Sequence, residues 1–126
     1  LIGQVPRDEM PSHFQQADIF LNLDVNAACP NAVIEAMASG LPIAGFNTGA
    51  LKEIVPRSAG ALADYGGDPW KLDRPDCDAL IRQVGVVISN LDAMSQDART
   101  VAESRFSTEL VKEKYLQLLF GRSRSG

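Results

Sequence analysis

The sequence predicts an α/β fold: a parallel sheet flanked by helices, incomplete on its N-terminal side, with a helical C-terminal part. Three observations lead there. Short apolar runs at residues 18–23, 41–46 and 59–63 alternate with stretches whose apolar residues fall at helical spacing, the order that right-handed crossovers and a parallel sheet require. The chain opens on Leu1-Ile2-Gly3, which reads as the tail of a buried strand with nothing before it. From Pro75 onward the strand-like runs stop and helical patterns take over.

Taken in order, residues 1–5 read as a short strand end stopped by Pro6. Residues 8–16 carry Met10 and Phe14, with Ala17 beyond, at helical spacing among polar neighbours, and Pro11 lies in the first turn, which tolerates it. Residues 18–23 suit a strand covered on both faces. After a loop at 24–29, a helix runs from about Asn31 to Ser39, and Gly40 supplies the left-handed position that ends it. Residues 41–46 are another buried strand, and 47–50 turn the chain into a short helix at 51–55. Residues 59–63 are a weaker strand, followed by the loop 64–69 and by Trp70, expected to plug the sheet edge.

In the helical part, Asp76 and Asp78 suit a helix start, and Ala79, Leu80, Val84, Val87 and Ile88 make one apolar stripe. A more polar helix spans about 91–105. Ser107 is a good N-cap for the last helix, with Phe106 placed to staple onto Val111. Leu110, Val111, Tyr115, Leu118 and Leu119 are its predicted buried face. The order β-α-β-α-β-α-β, then helices, is most of one Rossmann-like half, with two or more strands expected on the N-terminal side. Residues 1–121 are read as this partial domain, and 122–126 as a disordered tail with nothing to pack.

Composition narrows the function. A chain of 126 residues with 45% hydrophobic and 22% charged residues is ordinary for a single soluble domain. The formal net charge of -4 argues against nucleic acid as a partner, which would need a basic patch. No run approaches membrane-spanning length and none reads as a signal peptide, so the expected location is cytoplasmic. Cys29 and Cys77 form no metal-ligand spacing and read as free thiols, with Cys29 expected to pack rather than react. Asp24-Val25-Asn26 reads as a polar turn rather than a metal motif, and Asp73, Asp76 and Asp78 lack the glycine and glutamate of a calcium loop. No metal and no cofactor are expected.

The densest signal is the run from Cys29 to Ile43. It holds a loop, a helix start, one glutamate, a glycine stop and a new strand. The first amides of a helix have no intrahelical partners and carry the positive end of the macrodipole, so a phosphate gains hydrogen bonds and electrostatics together there. Glu35 follows Asn31 by four residues, on the same helix face, while Val33, Ile34 and Met37 point into the sheet. A carboxylate so placed accepts hydroxyl hydrogen bonds from a ribose, as acidic residues do in dinucleotide sites. On the residues alone, a glutamate merely stabilised by the dipole is the favoured reading, and Asn31 could be only a cap.

Several ordered blocks then carry a resemblance: Gly3-Gln4-Val5-Pro6, Ala17-Asp18-Ile19-Phe20, the run from Pro30 to Pro42, and Gly49-Ala50-Leu51-Lys52-Glu53-Ile54-Val55. Together they resemble the C-terminal, donor-binding domain of GT-B glycosyltransferases of the group 1 (family 4) retaining type. The match is ungapped from Leu1 to about Val55, looser over 60–68, and 106–119 is similar to the family's closing helix. In that family two glutamates eight positions apart mark the donor site. The second, which holds the ribose, falls on Glu35; the first, which contacts the transferred sugar, falls on Ala27, and Ala28 stands where glycine is usual. The sugar contact is therefore in question, with Asp24 and Asn26 in the same loop as substitutes.

The resemblance further implies that backbone amides around Cys29–Val33, those of Ala32 and Val33 beside Pro30 and Asn31, face the diphosphate. Gly49 would allow close approach at the neighbouring strand end, and the base would lie against the Gln4-Val5 turn. It implies retaining transfer from a nucleoside diphosphate sugar, in glycan or cell-envelope polysaccharide synthesis. The acceptor domain and the basic diphosphate clamps would precede Leu1, so the chain alone would be inactive, and any membrane association would run through the missing domain. The alternative is a homologue that binds a nucleotide sugar without transferring it. A receiver-like regulatory domain is disfavoured by the lack of an acidic pocket at consecutive strand ends.

Overall fold

The computed structural model describes residues 3–121. Its centre is a parallel sheet of three strands, β1 (Phe20–Asn22), β2 (Ile43–Phe46) and β3 (Gly60–Ala63), in that spatial order. Phe20 pairs with Ile43, and Ile43 with Gly60. Helices α1 (Met10–Gln16), α2 (Asn31–Ala38) and α3 (Leu51–Ile54) alternate with the strands. They are succeeded by α4 (Cys77–Ser89), α5 (Leu91–Phe106) and α6 (Thr108–Phe120). The fold class is the α/β one that the alternation predicts.

The stop of α2 shows how sequence sets direction. Gly40 adopts φ +81, the left-handed conformation that costs glycine nothing. Its amide donates to Met37 at 2.9 Å and the amide of Leu41 to Ala36 at 3.0 Å, a Schellman closure that returns the chain into β2. The hydroxyl of Ser95 on α5 donates to the Gly40 carbonyl at 2.5 Å, tying the same corner to the C-terminal helices.

Two layers cover the sheet. On one face α2 buries Val33, Ala36 and Met37 among Ile43, Leu51, Ile54 and Val55, with Ala98 and Ala102 of α5 behind them. Phe14 of α1 joins this core and meets Phe20 edge-to-face at 5.9 Å. On the other face α4 sets Leu80 against Phe46, Ala63 and Tyr65, and Val87 against Ala44 and Met94. Burying a side chain the size of Met37 completely is worth about 1.5–3 kcal/mol. Alanines facing each other where α2 meets α5 let the two helices approach closely.

Several expectations fail, each for a local reason. Gly3 to Val5 form no strand, because Gly3 sits at φ +79 and breaks the extended run; Leu1 and Ile2 lie outside the described residues. β1 is not covered on both faces: it lies at the sheet edge, and Leu21 and Leu23 are exposed. Ile88 is exposed because the buried line of α4 runs through Leu80 and Val87, one residue round the helix from it. Trp70 is 76% exposed rather than packed. Its backbone is held by the Asp68 carboxylate, which accepts from the Trp70 amide at 2.9 Å, while the ring meets no core cluster.

The largest departure is α6. Ser107 caps it as expected, accepting from the Leu110 amide at 3.3 Å. Yet the helix buries nothing: Val111, Tyr115, Leu118 and Leu119 are all exposed, and Leu110 is only half-buried. Phe106 packs against the main core. Among the described residues α5 is the main neighbour of α6, so its apolar side has nothing to cover it. The tail 122–126 lies outside the described residues. No described helix is long and apolar enough to cross a membrane.

Candidate functional site

The residues singled out by the sequence gather at the carboxyl ends of β1 and β2, the end of an open parallel sheet where ligands bind. They form two groups. The first lies on α2. Pro30 is buried at the N-cap position and gives no side-chain cap, so Asn31 is the first helical residue rather than the cap. Its Oδ1 lies 3.6 Å from the Cys29 thiol, which is exposed and does not pack. The Asn31 amide donates to Cys29 at 2.9 Å and that of Val33 to Pro30 at 3.0 Å. The Ala32 amide is left without a backbone acceptor among the described residues. Of the amides between Cys29 and Val33, those of Asn31 and Val33 are thus turned to the chain's own carbonyls.

Glu35 stands one turn further on, its side chain 44% exposed. Its carboxylate lies 3.7 Å from the guanidinium of Arg7, which is itself 92% exposed. A pair so open to water is worth about 0–1 kcal/mol, little enough for a ligand hydroxyl to displace. Arg7 comes from the segment just after the half-buried Val5. Sequence reasoning passed over Arg7 because no spacing links it to a glutamate 28 residues later.

The second group is the loop that carries Ala27. Gly49 has φ +55, and a Cβ there would fall 2.5 Å from the Ala27 carbonyl oxygen and 2.7 Å from its nitrogen. The Ala50 amide donates to Ala27 at 3.0 Å, and the Asn26 amide to the Thr48 hydroxyl at 3.3 Å. What approaches Gly49 closely is therefore the chain's own Ala27 backbone. Asn26, itself at φ +59, donates its side-chain amide to Pro69 at 3.0 Å, which pins it to the 69–71 turn. Asp24 is exposed.

One residue was not anticipated. Asn22 ends β1 and is only 5% exposed, yet its Nδ2 has no hydrogen-bond partner; the Asn26 Oδ1 is likewise buried and unpartnered. Buried polar atoms are almost always satisfied, so these two stand out. An asparagine inside an otherwise apolar strand was the available signal. Among the described residues no group of carboxylates, histidines and thiols is arranged to hold a metal ion.

A parallel α/β sheet flanked by helices defines the class: a partial Rossmann-like domain. The family emerges from comparison. The family described as glycosyl transferases group 1 matches residues 1–90, most of the chain, and the chain belongs to that family. The structure of a sucrose-phosphate synthase from Thermosynechococcus elongatus superposes with a TM-score of 0.74 at 19% identity. That superposition covers 96% of this chain and 30% of the synthase, and at that identity it is a likeness of fold. Among curated proteins no match is found.

Proposed function

We propose that the chain is the nucleotide-sugar-binding part of a retaining glycosyltransferase of the family-4 type. The whole protein moves a sugar from a nucleoside diphosphate sugar to an acceptor, in glycan or cell-envelope polysaccharide synthesis. The observation that carries this is Glu35: a half-exposed carboxylate one turn into the helix at the crevice, engaged only by a weak, open pair with Arg7. Glu35 takes the ribose hydroxyls, Arg7 swings from it toward the phosphates, and the Ala32 amide with the α2 dipole receives negative charge. In transfer, charge builds on the departing diphosphate while the sugar becomes oxocarbenium-like, so donors held in place beforehand lower the barrier. The base lies along the Gln4-Val5 turn.

At position 27 the chain offers only a methyl group, so no carboxylate reaches the sugar from there. Asn22, with its free Nδ2, supplies an uncharged hydrogen bond at the same strand end. The acceptor half belongs to sequence outside this chain; the protein works in the cytoplasm, and its route to any membrane surface is through that half. A second reading, binding without transfer, is favoured by Ala27 alone.

Calorimetry on the full-length protein with UDP-, GDP- and ADP-sugars, run beside a transfer assay, separates the two. Binding with turnover supports transfer; binding without turnover under every donor supports the second reading. Under both, Glu35→Ala weakens nucleotide affinity by about 1–3 kcal/mol, the cost of unpaired ribose hydroxyls. Unchanged affinity removes Glu35 from the site.

A further inference from the structure

The outer edge of β3 is distinct from the crevice, and its charges are ordered along the strand. Among the described residues β3 pairs only with β2. The amides of Ile43 and Asn47 donate to Ala59 and Ala63 at 3.1 and 2.8 Å, so the odd-numbered carbonyls face β2. By the alternation of a parallel ladder, Gly60 and Leu62 turn their amides and carbonyls outward. A row of unpaired backbone groups is a template for another strand. It forms the floor of a groove of about 820 Å³, walled by Val55 and Pro56 after α3 and by Ala79 and Val86 of α4.

Charged side chains line this groove along its length, Lys52 of α3 among them. Arg57 lies in the turn before the strand, closed by the Ala59 amide donating to Pro56 at 2.9 Å. Asp64 comes directly after the strand, and Asp76 lies at that same end, its amide donating to Tyr65 at 2.7 Å. α4 then runs back along the strand, since Leu80 packs near Ala63 and Val87 near Ala61, which sets Arg82 beside the strand's middle. Arg57 and Arg82 thus stand at the start and middle of the strand, Asp64 and Asp76 at its end.

We propose that this edge is where two copies of the chain meet, the β3 strands antiparallel about a two-fold axis. A parallel neighbour of the same charge order would set like against like, whereas the antiparallel one sets each acidic end against a basic start. The contact is isologous: the same patch serves on both copies. Outward-facing Gly60 lies opposite Leu62 of the second copy, Ala61 falls on the axis, and Arg57 comes beside the second copy's Asp64. Val86, exposed on the groove wall, is covered as the two α4 helices come together.

Sedimentation velocity on the chain over a concentration series tests this. A reversible dimer is expected. Arg57→Glu and Asp64→Arg, both at exposed positions, each raise its dissociation constant by roughly tenfold or more while far-ultraviolet circular dichroism stays unchanged. An equimolar mixture of the two variants restores dimerisation, because both contacts then pair opposite charges. A chain that stays monomeric at every soluble concentration overturns the proposal. So does a dimer indifferent to both reversals, a mixture no better than its components, or a monomer that captures an extended acidic peptide on this edge instead.

Discussion

Helices α2 and α6 carry apolar residues at the same helical spacing, and the fold treats them oppositely. In α2, Val33, Ala36 and Met37 are completely buried between the sheet and α5, while Glu35 stays half-exposed. In α6 the corresponding line of Tyr115, Leu118 and Leu119 lies open, Leu118 at 83% exposure. The difference is not in the pattern. It is in the neighbours each helix acquires: Gly40 closes α2 and returns the chain as a strand under its own apolar side, whereas α5 is the main neighbour of α6 among the described residues. Amphipathic spacing names the side that wants cover; a neighbour has to supply it.

The comparison can be broken by substitution. The largest effect is expected at Met37: Met37→Ala should lower the unfolding free energy by about 2–5 kcal/mol in denaturant titration, as deletions from packed cores do. A loss below about 1 kcal/mol would place α2 and α6 on the same footing. Next comes Gly49→Val, which puts a branched side chain at φ +55 and against the Ala27 backbone. It should cost about 1–3 kcal/mol and loosen the loop that carries Ala27. The amide of Ala50, which donates to Ala27, should then exchange with deuterium faster, and unchanged exchange would mean that loop is held elsewhere.

Ser107→Ala should cost about 1 kcal/mol, the worth of one N-cap, read as a lower melting temperature. That loss would show α6 depending on its local cap more than on packing. Smallest of all, Leu118→Ala should stay within about 0.5 kcal/mol of the parent chain. A loss of about 2 kcal/mol or more there would reveal a partner surface over α6 in solution, and the contrast with α2 would disappear.

Legibility tracked the range of each interaction. The α2 stop, the Asp76 cap and the Ser107 cap were readable because each is closed within a few residues. The place of Glu35 one turn into α2 was readable for the same reason. The Arg7–Glu35 pair, the anchoring of Asn26 to Pro69 and the seating of Ala27 on Gly49 each join segments more than twenty residues apart, and no local pattern announces them. Trp70 misled because size suggests burial, while the Asp68 cap settles where its backbone goes.

By itself, then, the sequence determined the alternation of strands and helices from residue 8 onward and the Gly40 and Ser107 helix ends, because periodicity and capping act over a few residues. Tertiary structure alone decided which apolar sides find cover, which amides remain free for a ligand, and that Gly49 receives Ala27. Those outcomes depend on which distant segments come within a few ångströms of each other, and a linear pattern does not encode that distance.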